Sequence, residues 1–127
     1  MLNPYKKGYR GERELVETLK RYFPRYRNKI KRIGGTEKSR ALLTGDVFCP
    51  CGVLSRFHFE NKQREKLNIF KTVKKTTDDA QGRIPVIRWS KSRQQPLIIL
   101  REKDFLNILA ELDGYINERN TDSKKLY

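Results

Sequence analysis

The run Phe57-His58-Phe59-Glu60-Asn61-Lys62-Gln63-Arg64 constrains the fold more than any other stretch of the chain. Aromatic and polar side chains alternate along it, and alternate residues of a β-strand point to opposite faces. Phe57 and Phe59 therefore share one face, and His58, Glu60 and Lys62 share the other. Such a strand belongs in a sheet whose aromatic face is covered and whose polar face carries chemistry or meets solvent.

The neighbouring segments supply that sheet and its cover. Asp46 to Cys49 and Leu54 to Lys62 both have strand character, and Pro50-Cys51-Gly52 between them predicts a hairpin turn. Upstream, Tyr9 to Phe23 reads as a helix stopped by Pro24, with Leu15, Val16, Leu19, Tyr22 and Phe23 at helical spacing. A weaker strand at Lys29 to Ile33 precedes the Gly34-Gly35 break and a polar, basic loop to Thr44. Downstream, Leu67 to Gln81 is expected to be helical, with Ile69, Phe70, Val73, Thr77 and Ala80 inward and Lys71, Lys74 and Lys75 outward. Two strands at Ile84 to Trp89 and Pro96 to Leu100 follow, then an amphipathic helix from Glu102 to about Asn117. The order α-β-β-β-α-β-β-α implies an α/β (α+β) fold with helices against one sheet. Residues 1–127 form a single domain in this reading, with about 119–127 a flexible tail.

Charge narrows the partner. A formal net charge of +14, from 29 Lys and Arg against 15 Asp and Glu, makes a polyanion the expected ligand. It is unevenly spread: residues 1–40 hold 13 basic and 4 acidic side chains, and residues 101–127 hold 5 and 6, so the nucleic-acid face should come from the first half. MLNPYKKGYR has no apolar signal-peptide core and no run is long enough for a membrane span, so a cytoplasmic protein without a membrane partner is expected, in the host cytoplasm if it is viral. The two cysteines, Cys49 and Cys51, flank Pro50, a spacing at which an unstrained disulfide is rare.

Three carboxylates stand out against this basic background. At about 100° per residue Glu12 falls near the middle of the apolar stripe of the first helix, while Glu14 and Glu17 fall opposite it. Asp46 starts one strand, and Glu60 lies near the end of its hairpin partner. Converging, Glu12, Asp46 and Glu60 would form a magnesium site, with manganese able to substitute. Lys62, on the face of Glu60, would meet the phosphate or an attacking water. On spacing alone, a solvated strand face and a turn aspartate account for the same residues.

Taken in order, Glu12, Asp46 and Glu60-Asn61-Lys62 on this succession of elements resemble the PD-(D/E)xK nuclease superfamily. Within it, KGYRGERELV at Lys7 to Val16 resembles the opening of archaeal-type Holliday junction resolvases. The resemblance covers roughly Lys6 to Leu100. It implies a restriction-endonuclease-like α-β-β-β-α-β core with a mixed central sheet. By position it makes Glu12, Asp46, Glu60 and Lys62 catalytic, with the main-chain carbonyl of Asn61 completing the metal shell. It also places Thr36, with Ser39 as the fallback, where the resolvases carry a hydroxyl residue near the scissile phosphate. Gly45 departs from the pattern by standing where the motif has proline.

Lys6, Lys7, Arg10 and Arg13 surround Glu12, while Arg32, Lys38 and Arg40 precede Asp46 and Arg64 follows Lys62. These eight are the expected DNA contacts. A zinc site built on Cys49, Cys51 and His58 lacks the usual CxxC pairs and a fourth ligand. Gln81 is a further candidate for the site, and Trp89 is expected in the core or at a dimer contact. Two function classes follow. The first is a magnesium-dependent endonuclease, most specifically a homodimeric Holliday junction resolvase making paired nicks without a small-molecule cofactor. Its alternative within the class is a nickase or endonuclease for duplex or otherwise branched DNA. The second is a non-catalytic basic DNA-binding protein, in which the carboxylates would have no evident use.

Overall fold

The computed structural model describes residues 4–33 and 45–125, and side chains over 9–33 and 45–120. Among them the elements are α1 (Pro4–Tyr22), a 3-10 turn (Pro24–Lys29), β1 (Lys31–Arg32), β2 (Val47–Phe48), a second 3-10 turn (Gly52–Arg56), β3 (Phe57–Gln63), α2 (Ile69–Asp79), β4 (Ile84–Ser90), β5 (Leu97–Ile99) and α3 (Glu102–Lys125). The five strands lie in one mixed sheet in the order β1-β2-β3-β4-β5. Only β3 and β4 run parallel, joined by the α2 crossover, and the other neighbours are antiparallel. This is the mixed α/β architecture expected from the succession of elements.

The parallel register sets Phe57 beside Ile84, Phe59 beside Val86 and Asn61 beside Arg88 on one face. His58, Glu60 and Lys62 stand beside Pro85, Ile87 and Trp89 on the other. α1 covers the first face, and the buried core of Leu15, Val16, Ile30, Val47, Cys49, Leu54, Phe59 and Val86 lies between helix and sheet. Leu15 and Val16 carry the inward face of α1, whereas Tyr22 is exposed. α2 lies over the second face, where Thr76 and Ala80 are buried.

Three local departures from the expected elements have physical causes. β2 and β3 pair antiparallel as the expected hairpin, but its connection is longer: Leu54 is drawn into the core, the chain makes a 3-10 turn after Cys51, and β3 begins only at Phe57. The two cysteines are free, and the Cys49 thiol donates to the Cys51 carbonyl at 3.6 Å. α2 starts later than expected because the Asn68 side chain caps it, accepting from the Lys71 N–H at 3.1 Å. Its inward face is shifted from the expected one: Ala80 is buried and Val73 and Thr77 half-buried as expected, but Phe70 is 89 % exposed and Thr76 is buried instead. α3 runs on past Asn117 to Lys125, and its Phe105, Leu109 and Leu112 are exposed.

Candidate active site

β2 is short, and how it ends creates the site. Val47 is opposite Phe59 in the ladder, and the Asp46 N–H still donates to the Phe59 carbonyl at 2.7 Å. One residue earlier, Gly45 turns the chain with φ +83, and a Cβ there would come within 2.6 Å of the Phe59 carbonyl oxygen. Proline, held near φ −65°, cannot adopt that geometry, which accounts for the departure from the motif. With β2 finished, the Asn61 N–H loses its ladder partner, and the Asp46 carboxylate takes the place: Oδ2 accepts it at 2.8 Å. Asp46 is thus buried and fixed against the Glu60-Asn61 segment.

Glu60 projects from the opposite face to Asn61. Its Oε1 is 3.1 Å from Nε2 of His58, which is only 1 % exposed. His58 thus acts as a buried prop for Glu60. Glu60 and Lys62 line a groove of about 540 Å³ between β3 and α2, together with Arg64, Asn68, Lys71, Thr72, Lys75, Thr76 and Asp79. Lys71 and Lys75 are exposed, as expected, and their i, i+4 spacing on one side of α2 also sets both along the groove. The groove therefore combines the carboxylates of Glu60 and Asp79 with four basic side chains, Lys62, Arg64, Lys71 and Lys75.

Glu12 reaches the same end of the sheet from α1. Gly11 is the contact point: a Cβ there would fall 2.3 Å from Asn61 Nδ2 and 2.8 Å from Gln63 Oε1. Glu12 is largely buried, as its place in the apolar stripe predicts, and its Oε2 accepts from Arg32 Nε at 2.5 Å. The Arg32 guanidinium also lies over the Tyr9 ring, 4.5 Å from its centroid. The charge of Arg32 is therefore committed within the fold, to Glu12 and Tyr9. Glu14 is not idle on the outer face either. It pairs with Arg10 at 3.7 Å and with the buried Arg88 at 3.5 Å, and Arg88 in turn donates to Asn61 Oδ1 at 2.9 Å. No feature of the sequence singled out Arg88, an arginine inside an apolar strand; its neighbour in register, Asn61, is what makes the position useful.

The remaining expected site residues divide between two surfaces and the segment outside the described residues. Arg64 lines the groove beside Glu60. Arg10 and Arg13 line a second groove, of about 560 Å³, along α1 with Tyr9, Arg21 and Arg88. Lys6 and Lys7 stand in α1 with side chains outside the described ones, and Thr36, Lys38, Ser39 and Arg40 lie outside the described residues. Gln81 is exposed in a left-handed conformation, φ 51, in the turn that follows α2. Trp89 is half-buried and donates its indole N–H to the Arg64 carbonyl at 2.9 Å, bracing the strand end that carries Lys62.

Asp46, Glu60 and Glu12 thus approach one end of β3, from its edge and from its two faces. Among the described residues no three His, Cys, Asp or Glu side chains are already gathered around one point. A site drawing on these groups would offer hard carboxylate oxygens beside a strand carbonyl, a donor set that suits magnesium. Over residues 3–125 the chain matches the family model described as "Phage putative PDDEXK endonuclease". The chain belongs to that family. Membership makes phosphodiester hydrolysis of DNA the reaction class, and nucleases of this superfamily typically use a divalent metal. No curated protein and no solved structure matches the chain. Among the described residues of this PDDEXK family member, no helix is long and apolar enough to cross a membrane.

Proposed function

We propose that this PDDEXK endonuclease is a Holliday junction resolvase that works as a homodimer and makes one nick per subunit in a four-way junction. The observation that carries the site is the Asp46 carboxylate held on the Asn61 amide, next to Glu60 and Lys62 at the mouth of a basic groove. Asp46, Glu60 and the main-chain carbonyl of Asn61 would hold magnesium, or manganese in its place, and Glu12 would join them by exchanging Arg32 for the cation. When bound, the ion supplies a water of lowered pKa and neutralises charge on the phosphate.

The protein's own residues do the rest. His58 holds Glu60 in one orientation, so the carboxylate is in place before substrate arrives. Lys62 stands on the face of Glu60 and is the group to orient the attacking water and to stabilise charge developing on the phosphate oxygens. Arg64, Lys71 and Lys75 draw the backbone into the groove, and Arg10 and Arg13, with Lys6, Lys7, Lys38 and Arg40, extend that contact along the duplex arms. Thr36 is the hydroxyl assigned to the scissile phosphate.

Support for the junction as substrate is the KGYRGERELV run, which resembles the opening of Holliday junction resolvases and whose Gly11 brings α1 close to Asn61. The test is cleavage of a synthetic four-way junction and of a matched duplex, with and without magnesium, by the natural protein and by Asp46→Ala and Glu60→Ala. Magnesium-dependent paired nicks in the junction are expected, with both variants binding but not cutting. Full cutting by either variant would reject the site. Equal cutting of duplex and junction would leave a general endonuclease.

A further inference from the structure

We infer that the tip of the β4–β5 hairpin is a site for one unstacked DNA base: a base next to the cleaved phosphate lies on the ring of Trp89, with its edge toward Gln94 and Gln95. The inference deepens the nuclease reading above and rests on it for the class of ligand, and on no property of the junction.

Trp89, Lys91, Gln94, Gln95 and Leu97 line a recess of about 90 Å³. Its place follows from the register. Trp89 is paired with Lys62 on β3 and with Leu97 on β5, so the three side chains stand in one row on one face of the sheet. That is the face of Glu60 and Lys62. Adjacent strands are about 4.8 Å apart, so Trp89 is one strand spacing from Lys62 and the recess lies just beyond it. A base held there belongs to a nucleotide beside the phosphate that Lys62 meets.

The parts of the recess are fixed before any ligand arrives. The indole N–H is committed to the Arg64 carbonyl, at 2.9 Å, which holds the ring in one orientation and leaves it to act by its face. The loop is tied down at a second point, where Glu65 accepts from the Ser92 N–H, at 3.0 Å, and from the Ser92 hydroxyl. Little ordering is left to be done on binding.

The chemistry of the lining selects the occupant. Pockets for small organic ligands are about 300–1,000 Å³, so this recess is too small to enclose one, whereas a floor of indole and leucine suits one flat ring laid on it. Gln94 and Gln95 each offer an amide donor and acceptor, as a base edge requires. Lys91, and Arg93 at the tip with φ 63, supply two cations for the flanking phosphates, and residues 90–96 contain no carboxylate. Stacking on an aromatic side chain is open to every base, provided that the base is not already stacked within a duplex.

Trp89 is the only tryptophan in the chain, so its fluorescence reports on the recess. The test titrates the full chain, without metal, with a duplex carrying a single-stranded overhang and with the same duplex made blunt, while the anisotropy of a dye on the DNA records binding. Saturating quenching by the overhang is expected, with little by the blunt duplex at equal occupancy. Trp89→Ala should weaken overhang binding about tenfold and leave blunt-duplex binding unchanged, and Trp89→Phe, which keeps a ring, should restore it. Should Trp89→Ala fail to fold by circular dichroism, Gln94→Ala with Gln95→Ala is the substitute, with the same loss of preference for the overhang. Unchanged fluorescence with the overhang bound, or equal quenching by the blunt duplex, would overturn the site. So would a spectrum that moves with protein concentration before DNA is added, because a second copy would then occupy the recess. Since the titration needs no cleavage, quenching by a protein that never cuts would refute only the nuclease reading, and a protein that cuts without quenching would refute only the recess.

Discussion

α1 and α3 are both amphipathic helices beside the same sheet, and their apolar faces meet different ends. α1 is joined to the sheet at every level: Leu15 and Val16 enter the core, Gly11 lets the backbone close on Asn61 and Gln63, and Glu14 reaches the buried Arg88. α3 is held at its start and by one exposed ion pair, and its seam of Phe105, Leu109, Leu112 and Ile116 meets solvent. The difference shows that an apolar stripe reports a partner without saying which one. For α1 the partner is the Phe59 face of the sheet, which has room for it. For α3 that face is already taken, and the stripe meets solvent.

The comparison can be broken most directly through the core. Leu15→Ala in α1 should cost about 2–5 kcal/mol in chemical denaturation, the range for a buried leucine that leaves a cavity. Leu109→Ala in α3 should change the unfolding free energy of the monomeric form far less, and equal losses at the two positions would erase the contrast. Next in size is Gly11→Ala. Its methyl group meets Asn61, which Arg88 pins on one side and the strand on the other, so a loss of about 1–3 kcal/mol is expected, read as a lowered melting temperature. Gly114→Ala on α3 meets open space and should not destabilise the fold.

A smaller effect is expected where charge, not packing, separates the two regions. Lys71→Ala and Lys75→Ala should each lower the slope of log affinity against log salt for duplex DNA by about 0.9, with the folded stability unchanged. Lys103→Ala, at the start of the near-neutral α3, should leave that slope where it is. The smallest effect concerns the Arg56–Glu111 anchor. Its hydrogen bond, then its charge, holds the Glu111 carboxyl below its ordinary value of 4.5. A carboxyl depressed on folding contributes above its unfolded value and loses that contribution as pH falls through the folded one. α3 should therefore loosen at acid pH, seen as faster amide exchange around Leu109 to Leu112, and Glu111→Gln should show the same exchange at neutral pH. Since both side chains are exposed, global stability should hardly move.

Much of this was legible in the sequence, because it rests on short-range periodicity. The two-residue alternation of Phe57 to Lys62 specified β3 and its two unlike faces, and the helical spacing around Leu15 placed Glu12 inward. The succession of elements implied the mixed sheet that the chain forms. Strand order was enough to bring Asp46 beside the Glu60-Asn61 segment, where its carboxylate accepts from the Asn61 N–H. Where the reading failed, two segments competed for one surface. Phe70 has the spacing of a core residue, yet in α2, capped by Asn68, it is exposed and Thr76 takes the buried position.

What the sequence by itself determined is therefore the set of elements, the faces of β3, and the chemistry of the residues that could meet at its end. Tertiary structure alone decided which partner each group took. Asp46 replaces a missing ladder bond at Asn61, Glu12 is claimed by Arg32, Arg88 becomes a buried tie between Asn61 and Glu14, and α3 keeps its seam outside. Local spacing fixes the direction of a side chain relative to its own backbone. It carries no information on which distant group arrives first at the space in front of it, and that competition is settled only when sheet and helices close around one core.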